Sequence, residues 1–583
     1  MVHVALISLI VGSVATLGLT STLKAEITDN TFRFYEHSGT LNDKQRMRSP
    51  QLGAAHAISL SSDLASKFSE EERAQIRTLG PWLTDTGLSH SAQVLIRAIQ
   101  DARVHGLDPE NYKLSKIVST VELLSHLDQA ESDSIENADA QSALRFQLNE
   151  LLDSSFIKLA EHLGQGVVDG RPLQNRLYRD APEINAFNML VSISSAELSV
   201  SEALASVTQL HPDYRRLTRA LRDLLTEQAT GIGRTQVAVK NDARPISTTY
   251  DKQRIRERLL ETGDLSFDAY MASNPDAELL KALRAFQARH GLEQNSFADE
   301  ITRAALNRSV TADIEAVTLS LERWRWLPRK LGTRHIFVNI PDYRVNLIEN
   351  GITRLSMPAV VGKYKHQTPS FSRDMSYMEY NPTWTVPASI ANKELIPKER
   401  RKPGYLASRE FDFLKRIGNR LIKIPASEVT RADFNAARFP YVLQQRGGPI
   451  NALGRMKFMM PNQYAIYLHD TQAKKHFTLN DRAYSHGCIR LGDPDALANH
   501  LMLGDGYSQD QIDRSMRSKA THRIRFKQAV PTHLVYLTTW VSEDGALQFR
   551  PDIYRNDDKL LDALRASETL LAETVSDDKA DSV

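Results

Sequence analysis

The sequence predicts a multidomain α+β chain: a mostly helical first half, a small three-helix unit, and an all-β C-terminal domain carrying a long insertion. Three observations predict it. The 583 residues, 41% hydrophobic and 25% charged, suit about three or four globular domains, each able to bury its own core. Apolar residues recur at the helical period of about 3.6 through the first half, and from His335 onward the period becomes 2. Between 389 and 446 a charged segment interrupts that alternation, and it is too long for an ordinary loop.

Composition excludes several classes of function. Lys plus Arg at 73 against Asp plus Glu at 71 leaves a net charge of +2, too balanced to argue for a nucleic-acid partner. Cys488 is the only cysteine, so the chain forms no internal disulfide and no multi-thiolate metal site, and no cofactor or metal is expected. That cysteine is either filler or chemistry.

Taken in order, Val4 to Leu23 holds no charged residue and reads as a targeting segment, a signal peptide or anchor over 1–25. Export to the periplasm or cell envelope is the expectation, with membrane contact only through that segment if it is not cleaved. A polar lead-in covers 26–55. A helical domain is expected over 56–227, where Val94, Leu95, Ala98, Ile99 and Ala102 share a helical face and His105-Gly106-Leu107-Asp108-Pro109 ends the helix. Residues 228–250, with Gly231, Gly233 and Pro245, read as a linker. The unit over 251–310 is helical; Leu283, Phe286, Gln287, His290-Gly291-Leu292 and Thr302 to Asn307 resemble the three-helix peptidoglycan-binding module. Asn295 to Asp299 replaces that family's usual Asp-Gly before the third helix, so a plain helical spacer stays open as an alternative. A connecting helix follows over 311–333.

The β domain is expected over 334–564. Ile336, Val338 and Ile340 alternate, as do Val345 and Leu347, and Asn350-Gly351 is a strong hairpin signal. Antiparallel strands are expected here and around Met357 to Val361, Met456 to Met459, Ala465 to Leu468 and Leu534 to Val541, the last returning through Asp544-Gly545 to Ala546–Phe549. The insertion at 389–446 has the size of a lid, and 565–583 is a tail.

Chemistry concentrates at Tyr467-Leu468-His469-Asp470-Thr471 and Ser485-His486-Gly487-Cys488-Ile489-Arg490. His-Gly directly before the only cysteine would arise about once in 700 sequences of this composition. A free thiol is only about 3% thiolate at pH 7, so a nucleophilic cysteine needs a base or a cation beside it. His469, on a neighbouring strand, is favoured over His486 as base, because Gly487 makes a turn between His486 and the thiol. N–H groups around Gly487 and Cys488 are candidate oxyanion donors; Tyr467 offers a hydroxyl and Arg490 a carboxylate site. A buried structural cysteine, a zinc site from His469, His476, His486 and Cys488, and a redox sensor are the competing readings.

These residues resemble the signature of bacterial cell-wall L,D-transpeptidases, in which H-x-T or H-G-T precedes S-x-G-C-hydrophobic-R or N. The resemblance extends through Val361-Gly362, Thr368-Pro369, Asn381 to Pro387, Asn451-Ala452-Leu453-Gly454 and Phe549 to Tyr554. It is weaker before Asp251, where His105 to Tyr112 is similar to the scaffold segment of the large members. The resemblance implies a helical scaffold, a peptidoglycan-binding-like module and an L,D-transpeptidase-type catalytic domain whose insertion is a capping subdomain. It implies Cys488 as nucleophile and His469 as base, with Ser485, His486, Gly487, Tyr467, Arg490 and Trp384 positioning the oxyanion or substrate. The implied reaction joins peptidoglycan stem peptides, donor and acceptor, through a thioester into 3→3 cross-links, alongside other cell-wall synthesis proteins as partners. Carboxypeptidase or peptidase action on the same stems, and a wall-binding scaffold without catalysis, are the alternatives.

Overall fold

Helix punctuation acts where the sequence places it. Ser89 accepts from the Ala92 N–H to cap α1 (His90–Asp101), the chain tightens over 102–105, and Gly106 turns it at φ 69°. The computed structural model describes residues 81–129, 135–168, 183–238 and 249–577, without the side chains of 249 and 568–577. The expected targeting segment, the lead-in and residues 56–80 therefore lie outside the described residues.

Helices α2 (Leu114–Asp128), α3 (Ile135–Gln165), α4 (Ala186–Ser194) and α5 (Val200–Val207) share a core with α1, in which Leu95, Ile99, Leu148, Leu152 and Phe156 are buried. The apolar face read over 144–163 is the buried face of α3. Helix α6 (Pro212–Ala229) leaves that core, and its Tyr214, Leu217 and Leu221 pack against Val317, Leu321 and Trp324 of the connecting helix.

The expected linker is tied down along its described part. Residues 228 and 229 still belong to α6, Arg234 is paired with Glu227 and Asp313, and Val237 is buried in the next unit, exchanging hydrogen bonds with the Asn307 side chain. That unit is α7 (Thr249–Glu261), α8 (Phe267–Tyr270), α9 (Pro275–Arg289) and α10 (Glu300–Leu306). Gln287 organises its loop: the side-chain amide donates to Asn295, Phe297 and Thr302 and accepts from the Ser296 N–H. The connecting helix α11 spans Val310–Arg325 and stops short of the expected 333, its end marked by the Trp326 turn.

The period-2 region folds as expected, with a different pairing pattern. Its strands are β1 (Arg334–Asn339), β2 (Arg344–Glu349), β3 (Ile352–Gly362), β4 (Phe371–Tyr380), the insertion strands β5 (Trp384–Thr385), β6 (Phe411–Ile417), β7 (Arg420–Ile424) and β8 (Val442–Gln445), then β9 (Met456–Met459), β10 (Leu468–His469), β11 (Ala483–Ser485), β12 (Ile489–Leu491), β13 (His522–Val535), β14 (Thr539–Val541) and β15 (Leu547–Phe549). The main sheet runs β11-β3-β12-β10-β9-β4-β13-β1-β2, and β3 pairs with β2 as well, so the sheet closes on itself. Asn350 and Gly351 both have positive φ, as the tight β2–β3 hairpin requires.

Three pairings, β10 with β12, β11 with β3 and β13 with β1, are parallel, which corrects the all-antiparallel expectation. Each joins strands far apart in sequence, so alternation alone carries no sign of it. The expected Ala465–Leu468 strand shrinks to Leu468–His469 because Asn462 holds the preceding turn through the Tyr464 and Ile466 N–H groups. The expected strand over 534–541 is two, ending at Val535 and resuming at Thr539. Helices α12 (Pro494–Gly504) and α13 (Gln509–Arg517) cover the core with Leu497, Leu501 and Ile512.

The insertion is a unit with its own sheet, β5-β8-β6-β7, and its own core around Leu395, Phe411, Phe413, Phe439 and Leu443. It begins at Trp384, ahead of the expected residue 389. The expected tail over 565–583 is helical as far as Asp577: α14 (Asp557–Asp577) packs Leu560 and Leu564 against Leu319 and Trp326.

Candidate active site

Register across the main sheet builds one polar row. Arg523, Glu379, Lys457, His469 and Arg490 lie side by side on β13, β4, β9, β10 and β12. The adjacent row is Ile524, Met378, Phe458, Leu468 and Ile489, all in the hydrophobic core. Because side chains alternate between faces along a strand, Tyr467 and Cys488, each two residues before a member of the polar row, project to that same face. His469 thus stands on the strand beside the cysteine strand, as expected.

The turn before the thiol is held by its own side chains. Ser485 Oγ donates to the Cys488 carbonyl at 2.6 Å and accepts the Gly487 N–H at 3.0 Å. Gly487 has φ 114°, which strains any residue with a side chain, and an added Cβ would lie 3.1 Å from Ile466. Thr368 Oγ1 donates to the Gly487 carbonyl and accepts from the Gly362 N–H, while the Tyr554 hydroxyl donates to the Gly362 carbonyl. Val361-Gly362, Thr368 and Tyr554, distant in sequence, therefore brace one turn. A correction follows: the Gly487 N–H is taken by Ser485, and of the two expected oxyanion donors only the Cys488 N–H is left.

The half-buried Cys488 thiol receives hydrogen bonds from the N–H and hydroxyl of Tyr467, and the Trp384 indole contacts the same hydroxyl. Burial pushes the thiol above its ordinary range, against the pull of the Tyr467 donors and the charges of Lys457 and Arg490. Burial likewise pushes the Tyr467 hydroxyl up, keeping it a donor.

His469 is buried, and its Nδ1–H donates to the Asp470 carbonyl, with the Leu453 carbonyl also against the ring. Burial first, then Arg490, lowers its pKa to about 3, so the resting ring is neutral. Asp470 accepts from the Arg455 N–H and from Lys474, and a Cβ at Gly454 would sit 2.3 Å from its carboxylate. Buried Asn451 holds that turn by accepting the Leu453 N–H. Asn451-Ala452-Leu453-Gly454 is thus the wall behind the imidazole. Among the described residues the imidazole makes no hydrogen bond to the sulfur; Tyr467 and, at 3.8 Å, the Ala465 carbonyl are the thiol's partners.

His486 turns away from the thiol. Its Nε2 meets Glu394 of the insertion at 2.6 Å, and its ring lies 4.8 Å from that of His366. Arg490 contacts His476 at 3.5 Å, and its buried Nε has no hydrogen-bond partner among the described residues. Trp384 lines the site from the edge of the insertion's sheet. The possible zinc ligands do not gather: His476 stacks on Tyr484, His486 is paired with Glu394, and among the described residues no three His, Cys, Asp or Glu side chains form a metal-binding group.

Lys457, Glu394 and His366 escaped the sequence analysis. A charge breaking the apolar run Met456 to Met460 was the available sign of Lys457.

Residues 333–512 match the L,D-transpeptidase catalytic domain (YkuD), and residues 81–221 match the Scaffold domain. A Haemophilus influenzae protein whose name provisionally assigns it as an L,D-transpeptidase is 35% identical over 222 residues, 38% of this chain and 44% of that one. The chain thus spans less than half the length of that curated relative. Among solved structures, an L,D-transpeptidase from Mycobacterium smegmatis aligns at 13% identity and TM-score 0.15 over 35% of this chain and 58% of its own. One from Xylanimonas cellulosilytica aligns at 12% identity and TM-score 0.16 over 51% of this chain and 98% of its own.

Proposed function

We propose that the chain is an exported peptidoglycan L,D-transpeptidase that forms 3→3 cross-links by cysteine acyl transfer. The observation that carries this reading is the placement of Cys488, Tyr467, His469 and Arg490 on one sheet face of the transpeptidase domain, beneath the insertion. Cys488 loses its thiol proton to His469, whose free nitrogen is the basic one while Nδ1 is held by Asp470. The sulfur attacks the carbonyl of the third stem residue, a C–S bond forms and the terminal D-alanine leaves with a proton from the imidazole. The Cys488 N–H and the Tyr467 hydroxyl receive the oxyanion, each such donor being worth roughly 3 kcal/mol in other enzymes. The guanidinium of Arg490, two residues after the cysteine, is the cation that would recognise a stem carboxylate. The amine of a second stem then attacks the thioester, passing its proton to His469 and restoring the thiol.

The insertion acts as the cap that limits water, with Trp384 lining the donor side. The three-helix unit acts as a docked wall-facing module. Hydrolysis to tripeptide is the competing outcome when water reaches the thioester first.

The test incubates the full chain with tetrapeptide fragments and follows both products and intact mass. Cross-linked dimers, and a wild-type acyl adduct missing from Cys488→Ala, are expected. Tripeptide as sole product would make the enzyme a carboxypeptidase, and no adduct at all would leave only a binding scaffold.

A further inference from the structure

Resting on that acyl-transfer reading, one question is where the charge that favours the thiolate comes from. The imidazole of His469 is neutral and not bonded to the sulfur, so it supplies none at rest. Of the cations near the thiol, Arg490 contacts His476, and its buried Nε has no hydrogen-bond partner among the described residues. Lys457 is differently placed. Its Nζ lies 4.4 Å from the centroid of the Tyr467 ring, over its face, and that ring's hydroxyl bonds the sulfur. Glu379, its neighbour in register on β4, is already paired with Arg523 at 2.8 Å. Among the described residues no carboxylate lies within ion-pair distance of the Lys457 ammonium. A partly desolvated cation with no carboxylate at ion-pair distance among the described residues and only the carboxylate charge of Glu379, itself paired with Arg523, acting on it, stands on the sheet face of the thiol as an electrostatic source that burial strengthens.

We propose that Lys457 is a positioning residue that sets the reactivity of Cys488: its ammonium favours the thiolate and clamps the Tyr467 ring whose hydroxyl donates to the sulfur. The lysine keeps its proton throughout; the thiol proton goes to His469. Arginine in its place would retain the charge and the stacking on Tyr467, whereas an uncharged chain would retain only packing.

Since Cys488 is the only cysteine, any alkylated mass reports this site alone. The experiment measures the rate of iodoacetamide labelling of the full chain against pH for the wild type, Lys457→Met, Lys457→Gln and Lys457→Arg, with melting temperatures to confirm folding. Loss of the charge in the Met and Gln variants is expected to raise the thiol's titration midpoint by about one unit, a tenfold fall in thiolate at neutral pH, with Arg near the wild-type value. Unchanged midpoints in folded Met or Gln variants, or an equal rise in the Arg variant, would overturn the inference. If neither uncharged variant folds, the Arg midpoint alone decides. Labelling needs no stem peptide, so a Lys457-dependent titration in a chain that forms no acyl adduct would sink the transpeptidase reading and leave this one standing.

Discussion

At Cys488, burial and donation oppose one another, and the balance decides how much thiolate the resting site holds. Tyr467 contributes two donors, its N–H and its hydroxyl, of which only the second is removable by substitution. Tyr467→Phe keeps the ring beneath Lys457 and deletes that donor, so labelling of Cys488 near neutral pH should slow several-fold without loss of melting temperature. For the two histidines, His469→Ala should lower acylation by about 10² to 10⁴, as removal of a general base does elsewhere, while His486→Ala retains a measurable fraction because its ring is engaged with Glu394. Equal losses in the two variants, read by intact mass, would overturn that assignment. The grouping of Cys488, His469 and Arg490 was legible in the sequence because the spacing within two short motifs sets Cys488 two residues before Arg490 and His469 at the end of a strand. Lys457 and Glu394 were not, since each reaches the site through pairing or docking with segments 12 to 92 residues away in sequence.

The insertion meets the thiol's surroundings at two places, Trp384 on Tyr467 and Glu394 on His486. Glu394 lies in a single π-helical stretch, 391–395, a local widening of the helix that is often found at functional sites. The pair is partly exposed, at 26% and 39% of side-chain area, and a pair so placed contributes about 0 to 1 kcal/mol to stability. Its effect should therefore appear in water exclusion instead of folding. Glu394→Gln is expected to leave the melting temperature within a degree or two and to raise the ratio of tripeptide to cross-linked dimer; an unchanged ratio would show that the cap closes without this contact. The separateness of this element was legible as a charged interruption of the period-2 pattern. Its start was not: Trp384 reads as part of the preceding strand region until pairing with Gln445 assigns it to the insertion.

At the scale of the described molecule, histidines stand at the junctions between units. His105 meets the Tyr214 hydroxyl at 3.0 Å beside buried Arg325, His211 stacks on Trp324 at 4.6 Å, and His290 is sandwiched between Phe286 and Phe549. The last of these joins the three-helix unit to the β14–β15 hairpin, where Arg289 donates to the Leu547 carbonyl and Arg550 to the Arg289 carbonyl. Burial, followed by Arg289, Arg308, Arg550 and Arg258, lowers His290 to about 2, and its Nε2 has no hydrogen-bond partner among the described residues. The sign is set by the depressed folded value. Above 6.5, the ordinary value, the ring is neutral folded or unfolded; below it, the unfolded chain takes up a proton that the native chain refuses, so stability falls with pH down to the folded value. At pH 5 one such group costs about 2 kcal/mol. His290→Phe keeps the aromatic sandwich and removes the proton site. Its melting temperature should therefore fall less than the wild type's between pH 7 and pH 5. Equal slopes would mean that the junction opens around the ring before the fold does, allowing protonation in the native state.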